Sequence, residues 1–472
     1  MVDADRRLDT LGEQVGTWLA STLGPVVTTA IERLSGGASR QSFVVTLATQ
    51  NGERKVVVQR KRSGGLGARL VDEAALVEVA GAAGVPVATV LLSTDDPGVV
   101  GGEAMAVDFV AGESLAPVIL RHDEWSSARS VLPKQAASAL VAIGRIPADD
   151  PRLAWLRADD PVALIDALHH GLGRHQPVIE LALRWLVANR PPEVAPRVVH
   201  GDFRMGNLMV NSPGGLTAVL DWELAHLGDP VEDLAWACVK AWRFGSGAAA
   251  LGLCGIEEWI DLWVDAGGDR PDRDRLQWWL VYGTLRWAVI CELQVAAHLS
   301  GMAQSVELAV LGRRVAESEL DLLQLLGMVA ESPPSAATAG GHGAATGGGE
   351  APHDPPLIDE LLGVVERYLL DDVVPATAGQ LRFHGRVAAN ALAIVRRQLA
   401  DGDRAHRQHQ EQLTHLGFID DAHLATELRS GRLDASLDEV GRALGPSVMD
   451  KVAVANPAYL DTPSADPWWT GE

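Results

Sequence analysis

Cysteine is scarce in this chain, and the three present form no pattern. Cys238, Cys254 and Cys291 lack metal-ligand spacing, and three thiols cannot all pair. A reduced, cytoplasmic setting is expected rather than a disulfide framework. Basic charge is also in deficit: 40 Lys and Arg stand against 62 Asp and Glu, a formal net charge of −22. Nothing offsets phosphate repulsion over most of such a surface, which excludes a nucleic-acid partner. No basic region followed by an apolar core opens the chain, so no signal peptide is read there. Long apolar runs are missing as well. The most apolar stretch, "WWLVYGTLRWAVICEL" (278–293), carries Arg286 and Glu292. It reads as a buried helix, too short to span a bilayer, and no membrane association is expected.

What is present divides into parts. A chain of 472 residues is too long for one ordinary core. Residues 1–25 place Leu8, Leu11, Val15 and Trp18 at helical spacing. Residues 26–110 read as a β-rich lobe, with an Asn51-Gly52 hairpin signal before "RKVVVQR", and residues 111–330 as a larger, mostly helical lobe. The segment 331–356 is Gly, Ala and Pro with almost no apolar bulk, a flexible linker. Residues 357–472 form a small all-α domain, with one helix face of Ile358, Leu361, Leu362, Val365 and Leu369. His406 and His409 there have metal-ligand spacing but are read as part of a solvated polar face. The fold class is α+β: two lobes around a cleft, plus the helical domain.

The chemistry concentrates in "VVHGDFRMGN" (198–207) and the hairpin directly after it. Asn207 precedes the run "LMV", the cluster "NSPGG" makes a turn, and Asp221 follows "LTAVL". Paired strands would bring Asn207 and Asp221 to the same end of a hairpin. An amide oxygen facing a carboxylate can hold Mg²⁺, which prefers oxygen ligands and keeps substrate phosphates in its shell. Asp202 is placed to accept a proton from an attacking hydroxyl, and Arg204 to put positive charge beside a transferring phosphoryl group. Each residue alone would pass for turn chemistry; the ordered set points to phosphoryl transfer.

That order of Asp, Asn five residues on, and a second Asp after a hairpin is the protein-kinase arrangement. His-Gly-Asp, "LDWE" and "GDPVEDLAW" (228–236) resemble the aminoglycoside phosphotransferase/choline kinase branch. The resemblance covers about residues 26–330 and implies a two-lobed protein-kinase-like fold, with ATP and Mg²⁺ as cofactors. It also implies that Asp233 is a buried anchor for the catalytic loop and that His200 is structural rather than a base. "LSGGASRQSF" (34–43) resembles the family's Gly-rich loop, giving Gly36, Gly37 and Ser39 as phosphate contacts; it is not a P-loop, lacking Gly-Lys-Ser/Thr.

The fold further implies a cation on the third strand paired with a helix Glu. Lys55, Arg60, Lys61 and Arg62 are available; Arg60 is preferred, with Glu73 as partner, because a subgroup of the family carries Arg there. "LSGGASR", "HGDFRMGN" and "LDWELAHLGDPVEDLAW" resemble the phosphotransferase domains found with acyl-CoA dehydrogenases. This implies a small-molecule hydroxyl acceptor of the hydroxyacyl-CoA class, with Arg286 and Trp287 lining an acyl or anionic pocket; from the residues alone, each reads as a helix position with one polar contact. The partner implied is an acyl-CoA dehydrogenase, with a homo-oligomer as the alternative. The residues after the linker are too few and too helical for a dehydrogenase domain, and resemble an uncharacterised helical domain attached to such phosphotransferases. Two rival readings stay open: a non-catalytic nucleotide- or acyl-CoA-binding pseudokinase module, and an aminoglycoside or choline-type kinase.

Overall fold

A computed structural model describes residues 2–34, 40–61, 68–330 and 358–461. Gly36, Gly37 and Ser39 and the linker 331–356 lie outside the described residues. The chain forms two compact units, one of residues 1–159, 193–238 and 248–272, the other of 160–192, 239–247 and 273–472.

The first unit is built on a five-stranded antiparallel sheet: β1 (Val26–Arg33), β2 (Arg40–Thr49), β3 (Gly52–Lys61), β4 (Val90–Thr94) and β5 (Ala104–Asp108). The strand order is β1-β2-β3-β5-β4. Gly52 closes the β2–β3 hairpin opposite Thr49 and takes φ +106°, the freedom anticipated for the Asn51-Gly52 turn. Alternation gives the sheet two different faces. Phe43, Val45 and Leu47 of β2 and Val56 and Val58 of β3 are buried against Leu11, Val15 and Leu19 of helix α1 (Val2–Leu23). The other face meets helix α2 (Leu70–Ala82), whose Leu70 and Ala74 pack on Met105, Val90 and Val107. Beyond this sheet, the unit has two two-stranded pairings, β6 (Arg197–Val199) with β9 (His226–Gly228), and β7 (Leu208–Asn211) with β8 (Gly215–Val219).

The second unit is helical among its described residues. Its helix Arg273–Leu299 runs 27 residues and is long and apolar enough to cross a membrane by length and composition, its most apolar 18-residue window having a mean hydropathy of 1.2. The stretch 278–293 lies inside this longer helix, and most of its residues are buried, as expected of a buried helix. Of its most apolar window, 67% is buried inside the protein. All three cysteines are buried, and none forms a disulfide.

Glu292 interrupts that helix for a structural reason. His169 is fully buried between two carboxylates, with Nδ1 2.8 Å from Glu292 and Nε2 3.5 Å from Glu180. Burial works against the imidazolium, but the two carboxylates outweigh it and raise His169 to about 9. Glu180, also bonded to Arg429, is lowered to about 2 despite its burial. The His169 contribution is therefore complete below its ordinary value near 6.5 and lost as pH rises through about 9. The Glu180 contribution is complete above its ordinary value near 4.5 and lost as pH falls toward about 2. The stability difference between wild type and His169→Gln, measured by denaturant unfolding, is expected to be largest near pH 6 and to shrink by pH 9.5. A pH-independent difference would rule out the buried imidazolium.

Among the described residues, the C-terminal part is made up mainly of four longer helices, Ile358–Tyr368, Gly379–His415, Asp421–Arg429 and Leu437–Ala455, with short helical turns between them. His406 is exposed, but His409 is not the solvated residue expected. Its Nδ1 lies 2.9 Å from Ser447 Oγ and its Nε2 3.1 Å from Asp421, so the ring ties three helices together. The i, i+3 spacing alone could not show that two other helices would close over one of the pair. Leu437–Ala455 approaches the segment after Val315–Leu325 closely enough that a Cβ on Gly441 would sit 2.2 Å from Met328 Sδ.

Candidate active site

The loop after β6 is held from below by one carboxylate. Asp233, on the short helix Val231–Trp236, accepts the His200 N–H at 2.7 Å and the Gly201 N–H at 2.9 Å. It is 2% exposed, and burial, with Glu232 adding to it, pushes its carboxyl up to about 7 against those two bonds. Gly201 is obligatory: it takes φ +79°, and a Cβ there would stand 2.4 Å from the Leu224 carbonyl oxygen. His200 Nε2 donates to the Leu220 carbonyl at 3.0 Å, while Nδ1 accepts the Asp202 N–H at 3.1 Å. Those two bonds assign a neutral ring with its proton on Nε2, a spacer between the loop and the end of β8.

Asp202 is the focus of the loop. Its Oδ1 accepts Arg204 Nε at 2.9 Å and Trp236 Nε1 at 2.8 Å, and its Oδ2 accepts Asn207 Nδ2 at 2.6 Å. A carboxylate offers about four lone-pair sites, so one direction on Oδ2 is left for a further donor. Arg204 is thus engaged with Asp202, and its guanidinium lies across Gly206, where a Cβ would meet Nη1 at 2.7 Å.

Asn207 and Asp221 sit at the same end of the β7–β8 hairpin, as the sequence pattern required. Leu208 pairs with Val219, and the Leu220 N–H bonds the Asn207 carbonyl at 2.8 Å. Because the amide nitrogen of Asn207 is committed to Asp202, Oδ1 is the atom available for a ligand. Asp221 adopts φ +64°, the left-handed region that non-glycine residues seldom occupy, and such strain gathers at functional sites. Its carboxyl is pushed up to about 7, first by burial and then by Glu223, with Asp202 and Glu73 adding and Arg40 opposing. A cation would relieve that accumulation of acid. Among the described residues no three His, Cys, Asp or Glu side chains converge on a metal position. The amide of Asn207 and the carboxylate of Asp221 are the donors that could hold one, with ligand phosphates and water completing the shell.

The nucleotide side differs from expectation. Arg60 does not meet Glu73. It lies on the α1 face of the sheet, 6.0 Å from the Phe43 ring centre, and donates to the Val100 carbonyl at 3.1 Å and to Gln41. The reason is register: Arg60 shares its face with Val56 and Val58, which the α1 core claims. Glu73 is held instead by Arg40, with Nη1–Oε1 at 2.8 Å and Nη2–Oε2 at 2.6 Å, and Arg40 also reaches Glu223 at 3.1 Å. Arg40, Glu223 and Trp236 end the motifs "LSGGASR", "LDWE" and "GDPVEDLAW" but take no role from them. The alternation of Phe43, Val45 and Leu47 is the signal that Arg40 faces the opposite way. Arg286 and Trp287 belong to the other unit. Arg286 is 9% exposed, and Trp287 packs edge-on to Trp242 at 4.6 Å with the Arg314 guanidinium 5.6 Å from its ring.

Comparison with known proteins agrees with this geometry. The sequence model of the "Phosphotransferase enzyme family" matches residues 30–279, and that of "Domain of unknown function (DUF6285)" matches 375–459. "Acyl-CoA dehydrogenase family member 10" of Mus musculus is 26% identical over 61% of this chain and 28% of its own length. "Acyl-CoA dehydrogenase family member 11" of Gallus gallus is 26% identical over 64% of this chain and 41% of its own length. The chain therefore spans less than half of either relative. A solved structure from Ralstonia eutropha, described as a candidate aminoglycoside phosphotransferase, superposes with a TM-score of 0.54. At 22% identity, over 65% of this chain and 95% of that one, it shows the kinase-like fold alone. The family match takes in most of the sheet and the whole Asp202–Asp233 region, and the chain belongs to the phosphotransferase enzyme family.

Proposed function

We propose that the protein transfers the γ-phosphoryl group of ATP, with Mg²⁺, to a hydroxyl of a small molecule. The observation that carries this reading is the fixed carboxylate of Asp202, which keeps an acceptor direction open on the oxygen shared with Asn207. Asp202 orients the attacking hydroxyl and takes its proton; such a step needs placement more than basicity. Arg204 steadies Asp202 and supplies positive charge beside the transferring group. Asn207 and Asp221 hold Mg²⁺, which neutralises charge on the phosphates when bound. Gly36, Gly37 and Ser39 belong to the loop that would cover the phosphates. The acceptor class we favour is hydroxyacyl-CoA, because relatives of this chain carry acyl-CoA dehydrogenase names.

Thermal unfolding tests the nucleotide site directly. ATP at about 100 times its dissociation constant should stabilise the native state by about 2.7 kcal/mol. That stabilisation is expected to need Mg²⁺ and to vanish in Asp221→Asn. A shift equal with and without Mg²⁺, or retained in the variant, would remove the metal assignment. Turnover with 3- or 4-hydroxyacyl-CoA, set against amino-sugars, then decides the acceptor.

A further inference from the structure

We propose that Arg40 of β2, and no side chain of β3, is the cation that grips the nucleotide phosphates, held ready beside Asp221 by Glu73 and Glu223. This rests on the nucleotide-site reading above and deepens it.

The sheet's alternation places the residue. With Phe43, Val45 and Leu47 turned to α1, Arg40, Ser42 and Val44 point to the α2 side. On β3, Val57, Gln59 and Lys61 share that side, since Arg40 pairs with Lys61 and Ser42 with Gln59. The position on β3 that faces α2 deep in the sheet is thus Gln59, a neutral amide whose Oε1 is buried without a hydrogen-bond partner. It cannot neutralise phosphate. Lys61, at the strand's end, directs its ammonium to the Ala68 carbonyl at 3.3 Å.

Arg40 stands on the neighbouring strand, 6% exposed, directly after the segment that contains Gly36 and Gly37. Its fork grips Glu73 in bidentate fashion and touches Glu223, two residues beyond Asp221. Glu73 lies on α2 and Glu223 follows β8, so the Arg40 fork joins α2, β2 and the loop after β8 at one point. A guanidinium has more N–H donors than those three contacts use, and its planar fork matches a phosphate edge. One cation facing Glu73, Glu223 and Asp221 leaves the cluster acidic, so the Arg40 fork is held in place by more negative charge than it neutralises.

The test is Mg·ATP affinity of the full chain by calorimetry, for wild type, R40Q, R60Q and the double variant R40Q/Q59R. R40Q is expected to weaken binding about tenfold or more, equal to at least about 1.4 kcal/mol. R60Q should stay near wild type. R40Q/Q59R should recover part of the loss, because the two positions are diagonal neighbours on one face, roughly 7–8 Å apart. Should R40Q fail to fold, R40K keeps the charge without the fork and is expected to lose affinity several-fold. Undiminished binding by folded R40Q, or an equal loss in R60Q, overturns the proposal and leaves the function reading standing. Failure of wild type to bind Mg·ATP at all would sink both.

Discussion

Asparagine at position 202 is expected to lower phosphoryl transfer, measured as kcat at saturating ATP, by a factor of about 10²–10⁴. Two effects combine. The substitution removes the group that accepts the hydroxyl proton. It also places an NH₂ among three converging donors, Arg204 Nε, Trp236 Nε1 and Asn207 Nδ2. If the new amide keeps its oxygen toward Arg204 and Trp236, its nitrogen faces the nitrogen of Asn207. The Asn207 amide must then flip, which turns Oδ1 away from the metal position. A raised Mg²⁺ requirement should therefore accompany the fall in kcat. The loop itself should survive, because its anchor is Asp233 through the His200 and Gly201 N–H groups. Wild-type kcat in folded Asp202→Asn would end the assignment of Asp202. A fall in kcat with an unchanged Mg²⁺ requirement would separate the base from the metal site.

The catalytic loop is legible in the sequence because its order is local. His200, Asp202, Asn207, the hairpin and Asp221 lie within a short span, and turn residues fix how the chain folds back. The two-lobed architecture is legible for the same reason, from strand runs followed by helical periodicity. What escapes is which of two faces a charged residue occupies. Arg60 has the right strand and the wrong side; a one-residue slip exchanges every side chain between faces. Only the buried Val56 and Val58 decide it, and only once α1 is known to cover them. His409 escapes because its partners Ser447 and Asp421 lie on other helices. The acids of "VAESELDLL" (315–323) fit no motif, yet Glu317, Glu319 and Asp321 are 4%, 1% and 6% exposed. Each has a partner more than a hundred residues further along the chain.

Those partners make the last helices part of the core of the second unit. Lys451 Nζ lies 3.1 Å from Glu319, Asn456 Nδ2 donates to Glu317 at 3.0 Å, and Tyr459 OH donates to Asp321 at 2.6 Å. Arg429 holds Glu180, and Arg184 holds Asp434, so the helix Pro177–Ala188 is engaged as well. A chain ended after Ala330 would lose every one of these contacts together with the apolar cover of Leu437–Ala455. Its buried carboxylates would have to take up water or protons, and each orphaned charge-assisted bond costs about 1.5–3 kcal/mol. Together with the lost apolar cover, that loss is comparable to the 5–15 kcal/mol or so that ordinarily separates folded from unfolded protein. The shortened chain is therefore expected to be recovered mainly in the insoluble fraction, or to unfold without a cooperative transition. Tyr459→Phe isolates one contact, leaves Asp321 only Lys240 at 3.6 Å among these described contacts, and should destabilise the full chain by about 1.5–3 kcal/mol in denaturant. A soluble, cooperatively folding 1–330 fragment with full nucleotide affinity would mean that the helical domain is an appendage. The buried acids of Val315–Leu325 argue the opposite, since a helix face meant for water does not exclude it from three carboxylates.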